Sequence, residues 1–424
     1  MFSSRNYAVF LALSCIFLIG TGISFTLDRD FGDVDVEKVS ITDGTLRISG
    51  LLYRPQVATS ENLLPAVVLA HGISGAKEAL SDIALELSRH GFVALAVDLV
   101  GHGGSEGQLG SSNDSTIGIL AAVRYLESQD FVHVSFIGLV GHSLGAGAIR
   151  AMAVAHGNIF ASVFIGGGIG GMVAGPAYGT LNSTFPKNLL IAVGKYDVLF
   201  NLTQLQTELL PPIFGTSQEV EAGLLYGSFD SETARKLVTP ATTHLFEPVD
   251  PTVVSETVEW MTNALIPQSS GQSQPYGKDL IYPYREITAL VNLFTFIGLI
   301  FPISAVVLDR YYSPTMEKKE LKKTSKSMED WKVLVILGGL GLVLFLFMVP
   351  VGLFLNFPPL IFGSSIAWWL LATGAAELLV LWLLSKFSSL NLKLKEVVHR
   401  SFDRQALVIT ALLLVLLYLI IILQ

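Results

Sequence analysis

The chain carries one cysteine, Cys15, in 424 residues. No intrachain disulfide can form, and neither a cysteine-rich metal site nor a CxxC redox pair exists. The run LALSC departs from a lipoprotein box: Ala12 stands three residues before the cysteine, and the apolar run continues past it. Charge is scarce as well. Charged residues make up 15% of the chain, against about 25% in a soluble domain, so part of the chain is expected to lie in lipid. Positive charge is scarcest in the middle. Residues 28–286 hold 14 Lys/Arg against 27 Asp/Glu, a net of −13. That balance excludes nucleic acid as a partner, because phosphates require a basic face.

Long apolar runs are plentiful. Five are long enough to cross a bilayer, which takes about 20 residues; they fall near 7–27, 288–308, 333–355, 362–385 and 405–423. The first exceeds a typical signal core, and no clear A-x-A site follows it, so an uncleaved anchor is the expectation. The basic residues sit between the runs. Arg5 precedes the first; Arg310, Lys318, Lys319, Lys322, Lys323, Lys326 and Lys332 lie between the second and third; Lys386, Lys393, Lys395, Arg400 and Arg404 lie between the fourth and fifth. Five spans put all three basic segments on one side, and the positive-inside rule makes that side cytoplasmic. The N-terminus is then cytoplasmic and residues 28–286 lie outside, in a multi-pass protein of the cell membrane. The three N-x-S/T sequons, at Asn113, Asn182 and Asn201, all fall in that outer part, although chance alone supplies such tripeptides. Glu377 lies within the fourth run. A carboxyl group in hydrocarbon is either functional or a protonated group with a polar neighbour.

At this length at least two structural units are expected. The reading is an anchor at 1–27, an α/β domain at 28–268, a linker at 269–286 and a four-span all-α membrane domain at 287–424. Within the outer part, unbroken apolar strands alternate with helical patterns. VSITDGTLRISGLLY (39–53) reads as a hairpin turning at Asp43-Gly44. Strands follow at PAVVLAHG (65–72), at the start of FVALAVDLVGHGGSEG (92–107), which runs on into a glycine-rich loop, and at FIGLVG (136–141), ASVFIGGG (161–168) and NLLIAVGKYD (188–197), with helices at 81–91, 117–128, 144–157 and 254–265. This pattern specifies a mostly parallel sheet covered on both faces, with functional groups at the carboxyl ends of its strands.

GHSLG (141–145) lies at such an end. GxSxG alone is weak, since glycine is common. A buried strand, a sharp turn and then a helix give it mechanical sense as a nucleophile elbow centred on Ser143. Four segments, AHGISG, DLVGHGGSEG, GHSLG and VGKYD, occur in the order found in α/β-hydrolases, and residues 37–265 resemble that superfamily. Dienelactone-hydrolase-like and prolyl-oligopeptidase-like serine hydrolase domains are the nearest in pattern. The five runs lie outside the resemblance, and no β-propeller precedes the domain.

The resemblance implies a Ser-acid-His order. Three histidines follow Ser143. His156 closes the helix after the elbow, and His399 falls in a cytoplasmic loop, which leaves His244. Asp197, ending the VGKYD strand, is the expected acid; Asp230 and Asp250 compete, Asp250 reading better as the N-cap before Pro251. The resemblance also implies an oxyanion hole from the amides of Leu144 and Ile73, with His71 and His102 bracing loops. The implied activity is hydrolysis of small-molecule or lipid esters through an acyl-enzyme, with the bilayer as a partner and no metal or organic cofactor. A peptidase or acyltransferase of the same fold, or a sensor or transport module with an inactive outer domain, are the alternatives. Apolar residues in 169–235, namely Met172, Phe200, Leu209, Leu210, Ile213, Phe214, Leu224 and Leu225, either bind an acyl chain or pack on the sheet. Cysteines introduced as Lys322→Cys and Lys393→Cys are expected to resist an impermeant thiol reagent in intact cells; labelling of either would reverse the orientation.

Overall fold

The computed structural model describes residues 4–44, 46–109, 115–170, 179–266 and 279–312, with a few single positions beyond. The chain divides into two compact units, Cys15–Thr295 and Met1–Ser14 with Phe296–Gln424. Among the described residues one helix, Ala8–Leu27, is long and apolar enough to cross a membrane. It lies within α1, Ser4–Leu27. The second expected span falls on α8, Tyr282–Tyr312. The last three spans, Glu377, Asn113 and Met172 lie outside the described residues.

The Cys15–Thr295 unit is built on a nine-stranded sheet. Strands β1 (Val34–Asp43) and β2 (Leu46–Pro55) form an antiparallel hairpin. Gly44 takes a φ of 59° there, a conformation that suits residues without a Cβ. The sheet continues with β3 (Leu64–Ala70), β4 (Val93–Val97), β5 (Val132–His142), β6 (Ile159–Ile165), β7 (Leu189–Ala192), β8 (Leu225–Tyr226) and β9 (Arg235–Val238). Their spatial order is β1-β2-β4-β3-β5-β6-β7-β9-β8. The six strands from β4 to β9 are mutually parallel; β1, β2 and β8 run against their neighbours. Every residue of β4 and β7 is buried. This is why those strands are apolar throughout rather than alternating.

Helices α2 (Ser81–Arg89), α3 (Ile119–Glu127), α4 (Leu144–Ala155) and α7 (Pro251–Leu265) cover the sheet. One core joins α3 and α4 to one face through Val68, Leu95, Leu139 and Ile149. The other joins α2 and α7 through Val67, Leu69, Ile83 and Met261. Asp250 caps α7, accepting from the amides of Thr252 and Val253 at 2.9 and 3.4 Å, so it is committed away from the catalytic role. Residues 198–235 contain the short helices α5 (Leu202–Gln204) and α6 (Pro211–Phe214) and strand β8. Leu210, Ile213 and Phe214 are buried in the core, and Phe200 packs on it, whereas Leu209, Leu224 and Leu225 are exposed. Packing on the sheet therefore accounts for four of the seven apolar residues noted in this segment. Arg235 is wholly buried. It donates to the carbonyls of Ile213, Ala234 and Asn182 at 3.3, 2.8 and 3.0 Å, tying this segment to β9.

Helix α2 is buried around its whole circumference, its polar residues included. The fully buried Glu86 accepts from the amides of Ile281 and Tyr282 at 2.7 and 2.9 Å and pairs with Arg89 at 2.5 Å. Arg89 reaches Asp30 at 3.0 Å and the Asp279 carbonyl at 2.9 Å. Arg285 pairs with Asp82 at 2.8 Å and Asp28 at 3.5 Å. The chain just after α1 and the chain entering α8 are thus both clamped to α2. Glu86→Ala would leave the Ile281 and Tyr282 amides without an acceptor and Arg89 with Asp30 as its remaining carboxylate. It is expected to destabilise the protein by about 3–5 kcal/mol, read as a fall of several degrees in melting temperature in detergent; a loss below about 1 kcal/mol would show that the clamp contributes little.

Candidate active site

The turn from β5 into α4 sets the site. Ser143 has φ 53° and ψ −112°, a conformation that costs roughly 1–3 kcal/mol and needs support from its surroundings. The Ser143 amide donates to the Ile165 carbonyl at 2.8 Å, and its carbonyl accepts from Ala146 at 3.1 Å. Space is equally restrictive. A Cβ on Gly141 would come within 2.5 Å of the Gly145 carbonyl oxygen, and one on Gly145 would meet the Ala70 and His71 backbone. A Cβ on Gly167 would lie 3.0 Å from Ser143 Cα. Glycine at these positions lets β3, β6 and α4 close around the bend.

Ser143 and His244 lie 101 residues apart in sequence, and His244 Nε2 stands 3.0 Å from Ser143 Oγ. His244 Nδ1 stands 2.8 Å from Asp197 Oδ2. Asp197 is buried and its Oδ1 accepts from the Leu199 amide at 2.8 Å. A carboxylate can only accept, so Nδ1 carries the proton and Nε2 is left to accept from the serine hydroxyl. The sequence-predicted serine, histidine and aspartate are therefore brought together. Asp230 is an exposed loop residue. His156 pairs instead with Glu127 at 3.2 Å.

The His-Gly loop after β3 sits directly against the serine: a Cβ on Gly72 would lie 3.2 Å from Ser143 Cβ and 2.8 Å from His142 Nδ1. Ile73 follows it. Among the described residues, neither the Ile73 amide nor the Leu144 amide is given an acceptor. Two such amides flanking Ser143 would suit an oxyanion, and α4 adds its positive N-terminal end.

The other imidazoles have different tasks. Burial pushes His71 down to a pKa of about 4. Its Nδ1 donates to the Gly72 carbonyl at 2.7 Å and its Nε2 accepts from the Leu99 amide at 3.1 Å, so it joins the two loops as a neutral ring. His102 packs edge-on against it with centroids 5.1 Å apart. In the same loop, burial opposes ionisation of Asp98. Lys77 and the Gly104 amide outweigh burial and hold its pKa below the ordinary carboxylate value. His142 is also pushed to about 4 by burial, and its Nε2 donates to the His244 carbonyl at 3.0 Å.

Glu247 escaped the sequence reading, although it lies one helical turn beyond His244 in HLFEPVD. It is fully buried. Its Oε1 accepts from the Gly194 amide at 2.6 Å. Its Oε2 lies 3.6 Å from His244 Nδ1 and 3.5 Å from His142 Nε2, and burial pushes its pKa up to about 8. The ligand atoms of His142, His244 and Glu247 lie within 4.8 Å of one another. Both nitrogens are already committed, however, so a metal ion would have to break the His244–Asp197 bond.

A family model described as "Alpha/beta hydrolase family" matches residues 67–346, about two thirds of the chain. The chain belongs to the alpha/beta hydrolase family. Solved structures similar to this hydrolase include an esterase from Pyrococcus furiosus, 16% identical, covering 56% of this chain and 96% of that one with a TM-score of 0.40. Dienelactone hydrolase from Anabaena variabilis is 20% identical, with coverage of 54% and 94% and a TM-score of 0.37. An alpha-beta serine hydrolase homologue from Coxiella burnetii is 16% identical, with coverage of 53% and 95% and a TM-score of 0.39. A search of curated proteins gave no match.

Because Gly72 abuts Ser143, Gly72→Ala is expected to displace the Ile73 amide. Labelling of the serine by a fluorophosphonate should slow at least tenfold, with little change in melting temperature. An unchanged labelling rate would remove this loop from the site.

Proposed function

We propose that the protein is a membrane-anchored serine hydrolase that cleaves acyl esters outside the cytoplasm through Ser143, His244 and Asp197. The observation that carries this reading is the chain of two hydrogen bonds, 3.0 Å from Ser143 Oγ to His244 Nε2 and 2.8 Å from His244 Nδ1 to Asp197 Oδ2. A serine hydroxyl is a poor nucleophile until a base takes its proton. His244 Nε2 is placed to do so as Oγ attacks the carbonyl carbon, and Asp197 balances the imidazolium that forms. The new oxyanion is held by the Ile73 and Leu144 amides. The proton on Nε2 passes to the leaving oxygen, and water then releases the acyl group by the reverse steps. The residues supply every proton transfer in this sequence themselves.

The surroundings favour an apolar acyl group. Ile73, Tyr196, Val198, Leu199, Leu245 and Phe246 are exposed, and each lies within two residues of a proposed catalytic position or is one. Apolar side chains left at the rim of a site suit a hydrocarbon ligand. The apolar helix Ala8–Leu27 supports anchoring in a bilayer. The basic segments between the apolar runs support five spans with residues 28–286 outside and the four-span domain at 287–424. Substrates are accordingly small-molecule or lipid esters. Peptide bond cleavage and acyl transfer use the same opening step and differ in what leaves and what accepts.

A fluorophosphonate probe is expected to label the full-length protein in detergent, and Ser143→Ala to abolish labelling. p-Nitrophenyl esters should turn over at least a hundredfold faster than aminoacyl p-nitroanilides; the opposite order would make the protein a peptidase, and no labelling would leave the domain a binding module.

A further inference from the structure

The carboxyl group of Glu247 has no stated task in the proton transfers above, yet it lies against both nitrogens that organise them. Four segments face it, the uncharged turn at Gly166 after β6 among them. His142 comes from β5, Asp197 and the Gly194 amide from the loop after β7, and His244 from its own turn, His244–Val249. Oε1 is satisfied by Gly194 at 2.6 Å. Oε2 is buried and no donor is directed at it. The two nearest N–H groups, at 3.5 and 3.6 Å, are spent elsewhere: His142 Nε2–H on the His244 carbonyl at 3.0 Å, and His244 Nδ1–H on Asp197 at 2.8 Å.

As a carboxylate, then, Oε2 would be a buried charge without a donor, beside a second buried carboxylate. Neither condition is stable. A single proton resolves both. With Oε2 protonated, Glu247 turns from an unsatisfied acceptor into a donor, and the Asp197 carboxylate, 2.8 Å from the same His244 Nδ1 that lies 3.6 Å from Oε2, stands beside it as an acceptor. Burial raises its pKa to about 8, so it keeps that proton at neutral pH.

We propose that Glu247 is a positioning residue, a neutral buried acid that donates a hydrogen bond to Asp197 and fixes the carboxylate on His244 Nδ1–H. It touches neither substrate nor serine. It acts through Asp197, by occupying lone pairs that would otherwise draw the carboxylate away from the imidazole. When Glu247 ionises, that donor is lost and a negative charge arises beside Asp197, where Oε2 competes for Nδ1–H. The inference rests on the hydrolase reading and concerns the same site.

The test compares Glu247→Gln with Glu247→Met, using p-nitrophenyl ester turnover across pH on the full-length protein in detergent. Glutamine keeps the geometry: its Oε1 accepts from Gly194 and its Nε2 donates to Asp197, but it cannot ionise. Methionine fills the space with no donor. Glu247→Met is expected to lower kcat at least tenfold at neutral pH with KM within about twofold, and Glu247→Gln to recover most of that loss. Wild-type kcat/KM should fall above pH about 8, and the fall should be absent in Glu247→Gln. Independently of activity, infrared difference spectra of wild type between acid and alkaline pH should show a protonated-carboxyl band lost on titration, absent in Glu247→Gln. The wild-type folding equilibrium should also weaken relative to Glu247→Gln as pH rises from about 4.5 to about 8, by up to tenfold per unit. The sign follows because in that window the native state holds a proton that the unfolded state has released, so rising pH favours unfolding. Superimposable pH profiles for wild type and Glu247→Gln, or equal impairment in both variants, would overturn the proposal while leaving the hydrolase reading standing. Activity that survives Ser143→Ala would instead remove the reading itself.

Discussion

Everything around the site depends on holding Ser143 in a backbone conformation that side chains resist. A residue at φ 53° and ψ −112° relaxes unless its neighbours leave it no alternative. Here the neighbours do so by close approach. Gly141, Gly145 and Gly167 allow the end of β5, the start of α4 and the loop after β6 to meet backbone on backbone. The Ser143 amide is then caught by the Ile165 carbonyl. The strain is spread over three parallel strands whose registers are fixed by buried apolar side chains. Core packing and the exposure of one hydroxyl are thus a single problem, solved by the same residues.

A second consequence is the sorting of four imidazoles into different roles. His71 and His142 are buried deeply enough to stay neutral, and both nitrogens of His71 are engaged with backbone. They behave as struts. His142 carries the backbone of His244 directly, through a 3.0 Å bond to its carbonyl, so the residue in the variable position of the elbow helps place the proposed general base. His244 alone combines partial exposure with a buried carboxylate on one nitrogen and the serine on the other. Environment, rather than residue type, separates these roles. The same logic applies to the two carboxyl groups: Asp197 has donors from Leu199 and His244, and Glu247 has one from Gly194 and no second.

The sequence made the α/β-hydrolase architecture legible because each central strand is an unbroken apolar run bounded by glycine or a helical pattern. Asp250 was readable as a cap, since Asp-Pro at a helix start is a local signal. What escaped was short or spatial. Strand β9 is four residues, Arg235–Val238, and includes a buried arginine and a lysine, so no apolar run marks it. Its guanidinium is satisfied by the neighbouring Ala234 carbonyl and by those of Ile213 and Asn182, 22 and 53 residues away, which no local pattern reveals. Glu247 escaped for a related reason. A glutamate three residues past the base reads as an exposed loop residue until the turn His244–Val249 folds it under the ring. The residues of 198–235 divided for the same cause: apolar character alone does not say which side chains face the sheet.

Residues 28–30 and 279–285 are held against α2 by buried charge as well as by the apolar packing of Leu280, Ile281 and Tyr282. On helix α2, Ser81, Asp82, Glu86 and Arg89 are all buried, and they hold the chain on both sides of the domain: Asp28 and Asp30 after α1, Asp279, Ile281, Tyr282 and Arg285 on the way into α8. Ion pairs of this kind add little net stability over apolar packing, but they are costly to leave half-formed. They therefore specify one arrangement of the two chain ends against α2 and penalise others. Within the Cys15–Thr295 unit, two backbone amides on Glu86 add to that constraint on residues 279–285. Tyr282 extends the constraint, since its hydroxyl donates to the Val249 carbonyl at 2.9 Å, at the end of the turn that begins with His244. The turn that carries His244 is thus braced by the residue that opens α8, so the candidate site and residues 279–285 share one group of contacts.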